Sequence, residues 1–303
     1  MESSLKLIYI MGRGHSGTTM LDALLGASRD AFSMGEIVAG CLREEDVCSC
    51  GHPIKTCEFW NSVMRRFEFK ANLPWTEFGA ALKKQSIIWK YLPMVLPFRK
   101  TEKENFAKLN YCLLEAVSEE AKVKAVVDSS KEVTRGLFLA KYFEDVRIIH
   151  IVRNPLDILV SNIKRIEKGE FKFLRINFKV KGLKYFFLII SSLGWLFGNI
   201  LAESVSAFRS EKVLRIKYED LIKYPEKELN RIGRHVGLNL DPVIKKMENK
   251  EKIIMEHMIA GNGMRRSGNF IFRSNDKVEN LPKFLKATAF VICYPLLKNY
   301  QYI

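Results

Sequence analysis

The feature that most constrains how this chain folds is a glycine-rich loop between a short apolar run and a helical pattern. The apolar run Leu7–Met11 leads directly into Gly12–Thr19, which reads GRGHSGTT. Beyond the loop, leucines recur at helical spacing as far as Gly26. A strand, a glycine loop and a helix in this order predict a phosphate-binding turn, because the backbone N–H groups of the loop and the helix N-terminus can bind an anion.

The spacing within this loop separates two kinds of phosphate site. Gly12 and Gly17 have the G-x4-G spacing of a P-loop, but Thr18 stands where an ATP-using P-loop carries lysine. That lysine reaches the β- and γ-phosphates, so its absence disfavours ATP hydrolysis and leaves the loop suited to a 5′-phosphate group. An ordinary glycine-rich turn is the alternative for the loop taken alone.

A second anion site is predicted at the end of another β-branched run, Arg147–Val152. Arg153 follows this run and precedes Asn154-Pro155, and proline is typical of the first turn of a helix. Ser161 then lies about two turns into that helix. Taken alone, such a pair is more commonly an arginine at the surface and an ordinary serine in a helix. Together with the first loop, the pair indicates a nucleotide with anions at both ends of its ribose.

Short β-branched runs alternate with helical patterns along the chain. The runs are Leu5–Met11, Ala125–Val127, Arg147–Val152 and Lys212–Ile216. The alternation predicts an α/β protein, a P-loop-like three-layer fold with a central, mainly parallel sheet and helical insertions. Pro225 and Gly237 enclose a further predicted helix.

We expect one domain over residues 1–303. Helical patterns dominate at about 41–122, which predicts a helical cap over the strand ends, where α/β proteins place ligand sites. A purely structural role for this cap is equally compatible with its sequence. A basic and hydrophobic insert is expected at about 165–202.

The charge balance favours an anionic partner. Lys+Arg number 49 and Asp+Glu 34, a formal net charge of +15, which suits nucleic acid, an acidic membrane surface or a phosphate-bearing ligand. The stretch 185–202 carries no charged residue and follows the basic segment 161–184. A buried or half-buried helix, a helix at a membrane interface and a membrane span remain open for it. No nucleic-acid module is visible, so nucleic acid is not an expected partner.

The N-terminal apolar run bears on the location of the protein. Leu7–Met11 has five residues, too few for the h-region of a signal peptide, which needs about 7–15. We therefore expect a cytoplasmic protein, with peripheral membrane contact left open.

A cysteine cluster is a further motif. Cys48, Cys50 and Cys57, with His52, offer three thiols and an imidazole, the ligand types of a tetrahedral metal site. Their spacing matches no standard zinc template. A metal site, a disulfide such as Cys50 to Cys57, and reduced structural thiols remain three open alternatives.

Taken together, these motifs resemble those of bacterial-type sulfotransferases that use 3′-phosphoadenosine 5′-phosphosulfate (PAPS). Gly12–Thr19 is similar to their 5′-phosphosulfate loop, and Arg153 with Ser161 is similar to their 3′-phosphate pair. Further segments that resemble the family are Val127–Lys131 (VDSSK), Tyr218–Leu221 (YEDL) with Pro225, and His257–Gly268 (HMIAGNGMRRSG). The resemblance covers the core from end to end and leaves about 70–110 and 165–190 unmatched. It implies a PAPS-dependent sulfotransferase that requires no metal.

The resemblance also implies roles for individual residues. The loop residues expected to hold the 5′-phosphosulfate are Arg13, Gly14, His15, Ser16, Gly17, Thr18 and Thr19. The residues expected to hold the 3′-phosphate are Arg153, Ser161 and Arg265, and Tyr218 is expected beside the adenine. His15 departs from the family pattern, because most relatives carry lysine or arginine there. Its imidazole is still a hydrogen-bond donor, so His15 remains a candidate for stabilising the sulfuryl group.

Sulfuryl transfer to a hydroxyl also needs a general base. Glu36 follows His15 by 21 positions, a spacing similar to that of the catalytic glutamate in tyrosylprotein and related sulfotransferases. Lys131 competes for this role, because it lies where cytosolic relatives carry basic catalytic residues. We assign Glu36 as the base and Lys131 as the cation that neutralises the transferring group. A charge at a helix N-terminus is the structural alternative for Glu36.

The expected acceptor is a saccharide, a glycolipid or another small alcohol. A P-loop nucleotide kinase is the alternative enzyme, and the threonine at position 18 argues against it. A nonenzymatic basic protein that binds membrane or nucleic acid is the alternative outside the enzymes.

Overall fold

A parallel sheet forms the centre of the computed structural model, which describes residues 5–43, 45–86, 100–167, 181–273 and 281–303. The strands of this sheet are β1 (Lys6–Gly12), β2 (Ala31–Ser33), β3 (Ala125–Lys131), β4 (Val146–Val152) and β5 (Val213–Lys217). They lie in the order β2-β3-β1-β4-β5, and every neighbouring pair is parallel. The carboxyl ends of the strands therefore meet at one edge, with β1 in the middle. The predicted α/β class is confirmed.

Helices cover both faces of this sheet. They are α1 (Thr18–Gly26), α2 (Ile37–Gly40), α3 (Glu58–Ala71), α4 (Trp75–Gln85), α5 (Lys100–Ala121), α6 (Val133–Tyr142), α7 (Pro155–Glu167), α8 (Lys181–Phe208), α9 (Tyr218–Lys223), α10 (Pro225–Val236), α11 (Asp241–Glu248) and α12 (Lys283–Asn299). A small antiparallel hairpin, β6 (Lys252–Ile254) and β7 (Asn269–Ile271), lies outside the main sheet. Single 3₁₀ turns occur at Ile54–Thr56, Ser210–Lys212 and Gly263–Ser267.

The two faces of the sheet carry separate cores, because successive strand residues point to opposite faces. Leu7, Tyr9 and Met11 pack with α5 and α6 in one core. Ile8 and Ile10 pack with α1, α10 and α11 in the other. Burial on both faces explains why the strands appear in the sequence as continuous apolar runs.

Three elements show where the sequence patterns succeed and where they fail. β3 extends beyond the predicted Ala125–Val127, because the polar residues that follow are buried in the strand and paired inside the protein. β2 has three residues and no pattern that predicts it. The predicted helix between Pro225 and Gly237 is confirmed as α10, which Gly237 ends in the left-handed region at φ 66°.

The interval between β2 and β3 is mainly helical where it is described. Trp60, Phe67 and Phe78 from α3 and α4 are fully buried and belong to the same core as Leu7 and Tyr9. The helices α3 and α4 thus extend the core on this side of the sheet. Residues 87–99 of the expected cap lie outside the described residues.

The uncharged stretch forms most of α8, which is half-buried. Leu188, Trp195 and Asn199 on one side are buried, and α12 packs against the helix. Phe186 and Phe197 on the opposite side are 60% and 62% exposed. Within the described residues, Tyr185–Phe208 is the one helix long and apolar enough to cross a membrane by length and composition alone, at mean hydropathy 1.7. Residues 168–180 of the basic insert lie outside the described part.

Candidate active site

The glycine-rich loop has the predicted strand, loop and helix geometry. β1 ends at Gly12 and α1 begins at Thr18, so the loop leads directly into a helix N-terminus. Gly17, the residue before α1, has φ 89°, a conformation that residues with a Cβ rarely adopt. A Cβ there would also lie 2.3 Å from Cδ2 of Tyr218. Both the backbone conformation and the available space therefore require glycine at this position.

Buried polar groups in and beside the loop have no partner in the part of the chain that the structure describes. Ser16, Thr18 and Thr19 are buried. The Ser16 hydroxyl and Nε of Arg153 are buried with no hydrogen-bond partner among the described residues. The first N–H groups of a helix such as α1 also lack partners within the helix. Because buried polar groups are normally paired, this group of donors fits an anionic ligand bound at the loop.

Arg153 lies against the loop, at the end of β4. Its Nη1 donates to the His15 carbonyl oxygen at 2.9 Å, and its guanidinium carbon lies 4.3 Å from the centroid of the Tyr218 ring. Nε1 of Trp195 donates to the Arg153 carbonyl oxygen at 2.9 Å. The end of β4, the start of α9 and the middle of α8 therefore meet at the loop, and the structure brings Arg153 and Tyr218 together.

His15 is held in the loop as a neutral imidazole. Burial, together with the nearby charges of Arg165, Lys131 and Arg153, lowers the pKa of His15 to about 4. Nη1 of Arg165 lies 3.1 Å from Nε2 of His15, which can accept this hydrogen bond only when unprotonated. The positive charge beside the loop therefore belongs to these three cationic side chains and not to His15.

Arg165 is a residue that the sequence motifs did not single out. It lies in the last turn of α7 and is half-buried. Ser161, four positions earlier in α7, is also half-buried. Residues four apart share a helix face, so the position of Arg165 relative to Ser161 is the signal that could have identified it.

The two residues assigned to catalysis are in direct contact. Nζ of Lys131 donates to Oε1 of Glu36, and the two side chains are 22% and 14% exposed. Glu36 stands immediately before the short helix α2, but its carboxylate makes no capping hydrogen bond there. The carboxylate therefore pairs with Lys131 and does not act as a helix cap.

Backbone hydrogen bonds hold the Glu36 side of this ion pair, and a left-handed residue forms the Lys131 side. The Glu36 N–H donates to the Ile259 carbonyl oxygen at 2.8 Å, and the Ile259 N–H donates to the Met34 carbonyl oxygen at 3.0 Å. Lys131 ends β3 with φ 76°, and the register between β1 and β3 shifts just before it. A residue with a Cβ is strained in this region and stays there only when its surroundings fix it.

Buried polar residues support the carboxyl end of β3. The carboxylate of Asp22 on α1 accepts hydrogen bonds from the hydroxyls of Ser33 on β2 and Ser129 on β3. Burial raises the pKa of Asp22 to about 7, although the two hydroxyl contacts oppose the rise. Asp128 is also buried and pairs with Nε of Arg135 at 2.7 Å. These contacts link the helix that follows the loop to the VDSSK segment.

The segment His257–Gly268 returns the chain to the loop. The Asn262 N–H lies 3.3 Å from Oγ1 of Thr19 and donates to it. Gly261 has φ 96°, and a Cβ there would lie 3.1 Å from Oε1 of Glu36 and 3.4 Å from Oγ1 of Thr19. The Glu36 carboxylate and the Thr19 hydroxyl therefore face the same small space beside the loop.

Arg265, in the same segment, is buried and engaged by the protein. Its guanidinium donates to Oδ2 of Asp46 at 2.8 Å and to the Val47 carbonyl oxygen. These contacts join the segment to the loop after α2. The role of Arg265 at a 3′-phosphate stays a prediction.

Arg13 and Gly14 occupy the outer part of the loop. The Arg13 side chain lies beside α8, where a Cβ at Gly194 would be 2.9 Å from Nη2 and one at Gly198 would be 2.5 Å from Cδ. Glycines in α8 thus leave room for this arginine. A Cβ at Gly14 would meet none of the described residues within 4 Å.

The fold is that of an α/β protein, and the loop at the carboxyl end of β1 has donors that suit a phosphate-bearing ligand. A family model described as the sulfotransferase family matches residues 8–242. The chain belongs to this family, and it is a sulfotransferase enzyme. The matched range contains the loop, Glu36, Lys131, Arg153 and Tyr218, and it ends before the segment His257–Gly268.

Two solved structures are similar in fold over nearly the whole chain. The sulfotransferase domain from the curacin biosynthetic pathway is 17% identical, with TM-score 0.55, and the alignment covers 96% of this chain and 97% of that one. The sulfotransferase domain from the Synechococcus PCC 7002 olefin synthase is 16% identical, with TM-score 0.53, and the coverage is 98% and 96%. Comparison with curated proteins gives no match.

Proposed function

We propose that this sulfotransferase takes the sulfuryl group of PAPS and transfers it to a hydroxyl of a saccharide, a glycolipid or another small alcohol. The observation that carries the proposal is the ion pair of Glu36 and Lys131 beside the phosphate loop. Transfer to a hydroxyl needs a base and a cation at one place, because the acceptor loses a proton while negative charge develops on the transferring group.

The nucleotide is held at its two anionic ends. The backbone N–H groups of the loop and α1 hold the 5′-phosphosulfate with the Ser16 hydroxyl, and Arg153 with Ser161 holds the 3′-phosphate. The unpartnered Oγ of Ser16 and Nε of Arg153 support these roles. The Tyr218 ring, packed on the Arg153 guanidinium, lies beside the adenine. Arg165 adds positive charge next to His15.

The transfer step forms one bond and breaks one. The acceptor oxygen attacks the sulfur in line, and the bond between the sulfur and the 5′-phosphate oxygen breaks, so that 3′,5′-adenosine bisphosphate (PAP) leaves. Glu36 accepts the proton of the acceptor hydroxyl, and Lys131 stabilises the charge on the departing oxygen. His15, whose Nε2 accepts from Arg165, offers its remaining ring N–H to the sulfuryl oxygens. Lys131, Arg153 and Arg165 neutralise the negative charge of the transferring group and the nucleotide, and the proposed step uses no catalytic metal.

The acceptor is proposed to reach the enzyme at a membrane surface. α8 presents a row of exposed apolar side chains at helical spacing: Phe186, Ile190, Leu193, Phe197 and Ile200. The same helix contacts Arg153 through Trp195 and leaves room for Arg13 of the loop. A net charge of +15 favours an anionic surface. We place the protein in the cytoplasm, in peripheral contact with that surface.

Replacement of the proposed base tests the assignment. Glu36→Gln keeps the size and an acceptor oxygen of the side chain but cannot take a proton. We expect sulfuryl transfer from labelled PAPS to a panel of saccharides, glycolipids and small alcohols to fall by about 10²–10⁴-fold, while PAP affinity stays near that of the wild type. Glu45→Gln, at an exposed glutamate paired with Lys55, is the control and should keep wild-type turnover.

Lys131→Ala separates the base from the cation. This variant should also lose turnover, through lost charge stabilisation, and an acceptor with a more acidic hydroxyl, such as a phenol, should rescue Glu36→Gln better than Lys131→Ala. Near-normal turnover of Glu36→Gln, with an inactive Lys131→Ala that the phenol rescues, would instead make Lys131 the base.

A further inference from the structure

A cluster of three cysteines and one histidine lies outside the proposed active site. Cys48, Cys50 and Cys57 come from the chain between α2 and α3, and His257 follows the hairpin strand β6. Their ligand atoms all lie within 4.8 Å of one another. The sequence spacing indicated His52 as the fourth member, but the fold brings His257 to this place from 200 positions beyond Cys57. His52 is exposed at the edge of the cluster.

Four of the six distances within the cluster are close to those of a tetrahedron, and the other two are within 4.8 Å. Sγ of Cys57 lies 3.7 Å from Sγ of Cys50, 3.9 Å from Sγ of Cys48 and 3.3 Å from Nδ1 of His257. Sγ of Cys48 lies 3.8 Å from Nδ1 of His257. Around a tetrahedral zinc ion, with Zn–S of about 2.3 Å and Zn–N of about 2.0–2.1 Å, neighbouring sulfurs are about 3.8 Å apart and sulfur to nitrogen is about 3.5 Å.

The same distances bear on the disulfide alternative. All of these cysteines are free thiols. Cys50 and Cys57 are the pair that the sequence offered for a disulfide, and their sulfurs are too far apart for a bond of about 2.05 Å. The arrangement of four donors around one centre therefore has to be explained by something other than a disulfide.

We propose that Cys48, Cys50, Cys57 and Nδ1 of His257 bind one Zn²⁺ ion in a structural site. Thiolate and imidazole are ligands that zinc prefers, and four protein ligands complete its tetrahedral coordination. A site with four protein ligands has no open position for a substrate or a reactive water, which is typical of structural rather than catalytic zinc. Cys48 and Cys57 are buried and Cys50 and His257 are half-buried, so no ligand of the site is fully exposed.

Surrounding residues orient the ligands. The Phe59 ring stacks on the His257 ring, with centroids 4.8 Å apart and planes 6° from parallel. Nε1 of Trp60 donates to the His257 carbonyl oxygen at 2.7 Å. The Ser49 N–H donates to the Met258 carbonyl oxygen at 3.1 Å, and the Met258 N–H donates to Oγ of Ser49 at 2.8 Å. Contacts of this kind fix ligand side chains in metal sites.

The zinc site connects to the ion pair of the active site through the backbone. Two residues after His257, Ile259 accepts the N–H of Glu36 and donates to Met34. Two residues further, Gly261 faces the Glu36 carboxylate. By joining His257 to the cysteine-bearing loop, the ion fixes the segment that positions Glu36. The site does not include the nucleotide loop, so the inference holds whatever nucleotide the enzyme uses.

The test is the metal content of the intact protein, purified without a polyhistidine tag. We expect about one zinc per chain by elemental mass spectrometry. Exchange of zinc for Co²⁺ should give the visible absorption of tetrahedral cobalt with thiolate ligands. Changing only a residue that contacts a metal ligand weakens metal binding by about 10–100-fold. Cys50→Ser and Cys57→Ser change a ligand itself, so the zinc affinity of each variant should fall by at least this much. Removal of zinc by a chelator should lower Tm, and added Zn²⁺ should restore it.

Cys112→Ser on α5 is the matched control, because Cys112 lies outside the cluster, and it should keep the metal of the wild type. A wild-type protein without zinc overturns the proposal, whether its thiols are reduced or Cys50 and Cys57 are oxidised to a disulfide. Retention of full zinc content by both serine variants overturns it as well. The wild-type measurement and the cobalt spectrum do not depend on how well the variants fold.

Discussion

At the scale of single residues, His15 shows how the surroundings of a side chain decide its chemistry. The relatives that the loop motif resembles mostly carry lysine or arginine at this position. Here burial and three nearby cations keep the imidazole of His15 neutral, with a pKa of about 4. The charge that an anionic substrate meets comes from Lys131, Arg153 and Arg165. His15 contributes hydrogen bonds and not charge.

A neutral His15 predicts a particular dependence of stability on pH. The unfolded chain binds the extra proton between about pH 6.5 and 4 and the folded chain does not, so this residue lowers the free energy of unfolding as pH falls through that window. His15→Gln, which cannot titrate, should lose less stability than the wild type between pH 7.5 and 4.5, as measured by urea midpoints. The raised pKa of Asp22 acts in the opposite direction but equally in both proteins.

The exposed His52 provides the control for this comparison. His52→Gln replaces an exposed imidazole that lies away from the phosphate loop, and its curve should follow the wild type. Parallel curves for the wild type and His15→Gln would show that His15 is not held neutral by its surroundings.

Sequence motifs indicated the candidate active-site residues but not all of their contacts. Loop and spacing patterns pointed to Glu36, Lys131 and Arg153, because these lie in short segments with recognisable neighbours. Lys131, which contacts Glu36, has a left-handed backbone conformation at the end of β3, and no residue pattern predicts this conformation. For Arg265 the motif predicts a place at the 3′-phosphate and gives no sign of its ion pair with Asp46. That pair depends on tertiary packing.

At the scale of elements, the predictable parts are those with strong local patterns. β1, β4 and α10 follow from apolar runs and from the proline and glycine at helix ends. The sequence leaves three alternatives open for α8, because the stretch has no charged residue to mark an exposed side and periodicity alone does not separate its faces. Its buried face carries Leu188 and Trp195, and the opposite face is the exposed apolar row.

The exposed row on α8 predicts membrane binding. The protein should sediment with vesicles that contain anionic lipid at low salt and should be released as ionic strength rises, because salt screens surface charge. Phe197→Ser and Phe186→Ser together should weaken this binding without loss of Tm, since both rings are exposed. Phe69→Ser, at a ring that is 90% exposed on α3, is the matched control and should bind as the wild type does.

The vesicle experiment has a clear negative outcome. A protein that stays in solution with anionic vesicles at low salt has no such membrane contact, and the apolar face of α8 then has another role. Equal losses from the Phe69 and α8 variants would show that the effect comes from general exposed hydrophobicity and not from this helix.

At the scale of the whole molecule, the fold brings four distant segments to one edge of the sheet. The loop after β1, Glu36 after β2, Lys131 at the end of β3 and Arg153 at the end of β4 all lie at carboxyl ends of parallel strands, where α/β proteins place ligands. The parallel direction of the strands could be expected from the alternation of elements, but their order could not, because no pattern predicts β2. The return of His257–Gly268 to this edge could not, because it depends on long-range backbone contacts.

The central claim is that this edge binds a nucleotide with a 3′-phosphate, and the most direct test is calorimetric titration with PAP and with ADP, which lacks that group. The wild type should bind PAP more tightly than ADP. Arg153→Ala should weaken PAP binding by about 10–150-fold, the equivalent of a charge-assisted contact of roughly 1.5–3 kcal/mol, and should leave ADP affinity much less changed. Arg234→Ala, at an exposed arginine on α10, should bind both as the wild type does. Equal affinity of the wild type for PAP and ADP, or an Arg153→Ala variant that keeps the preference for PAP, would contradict the account.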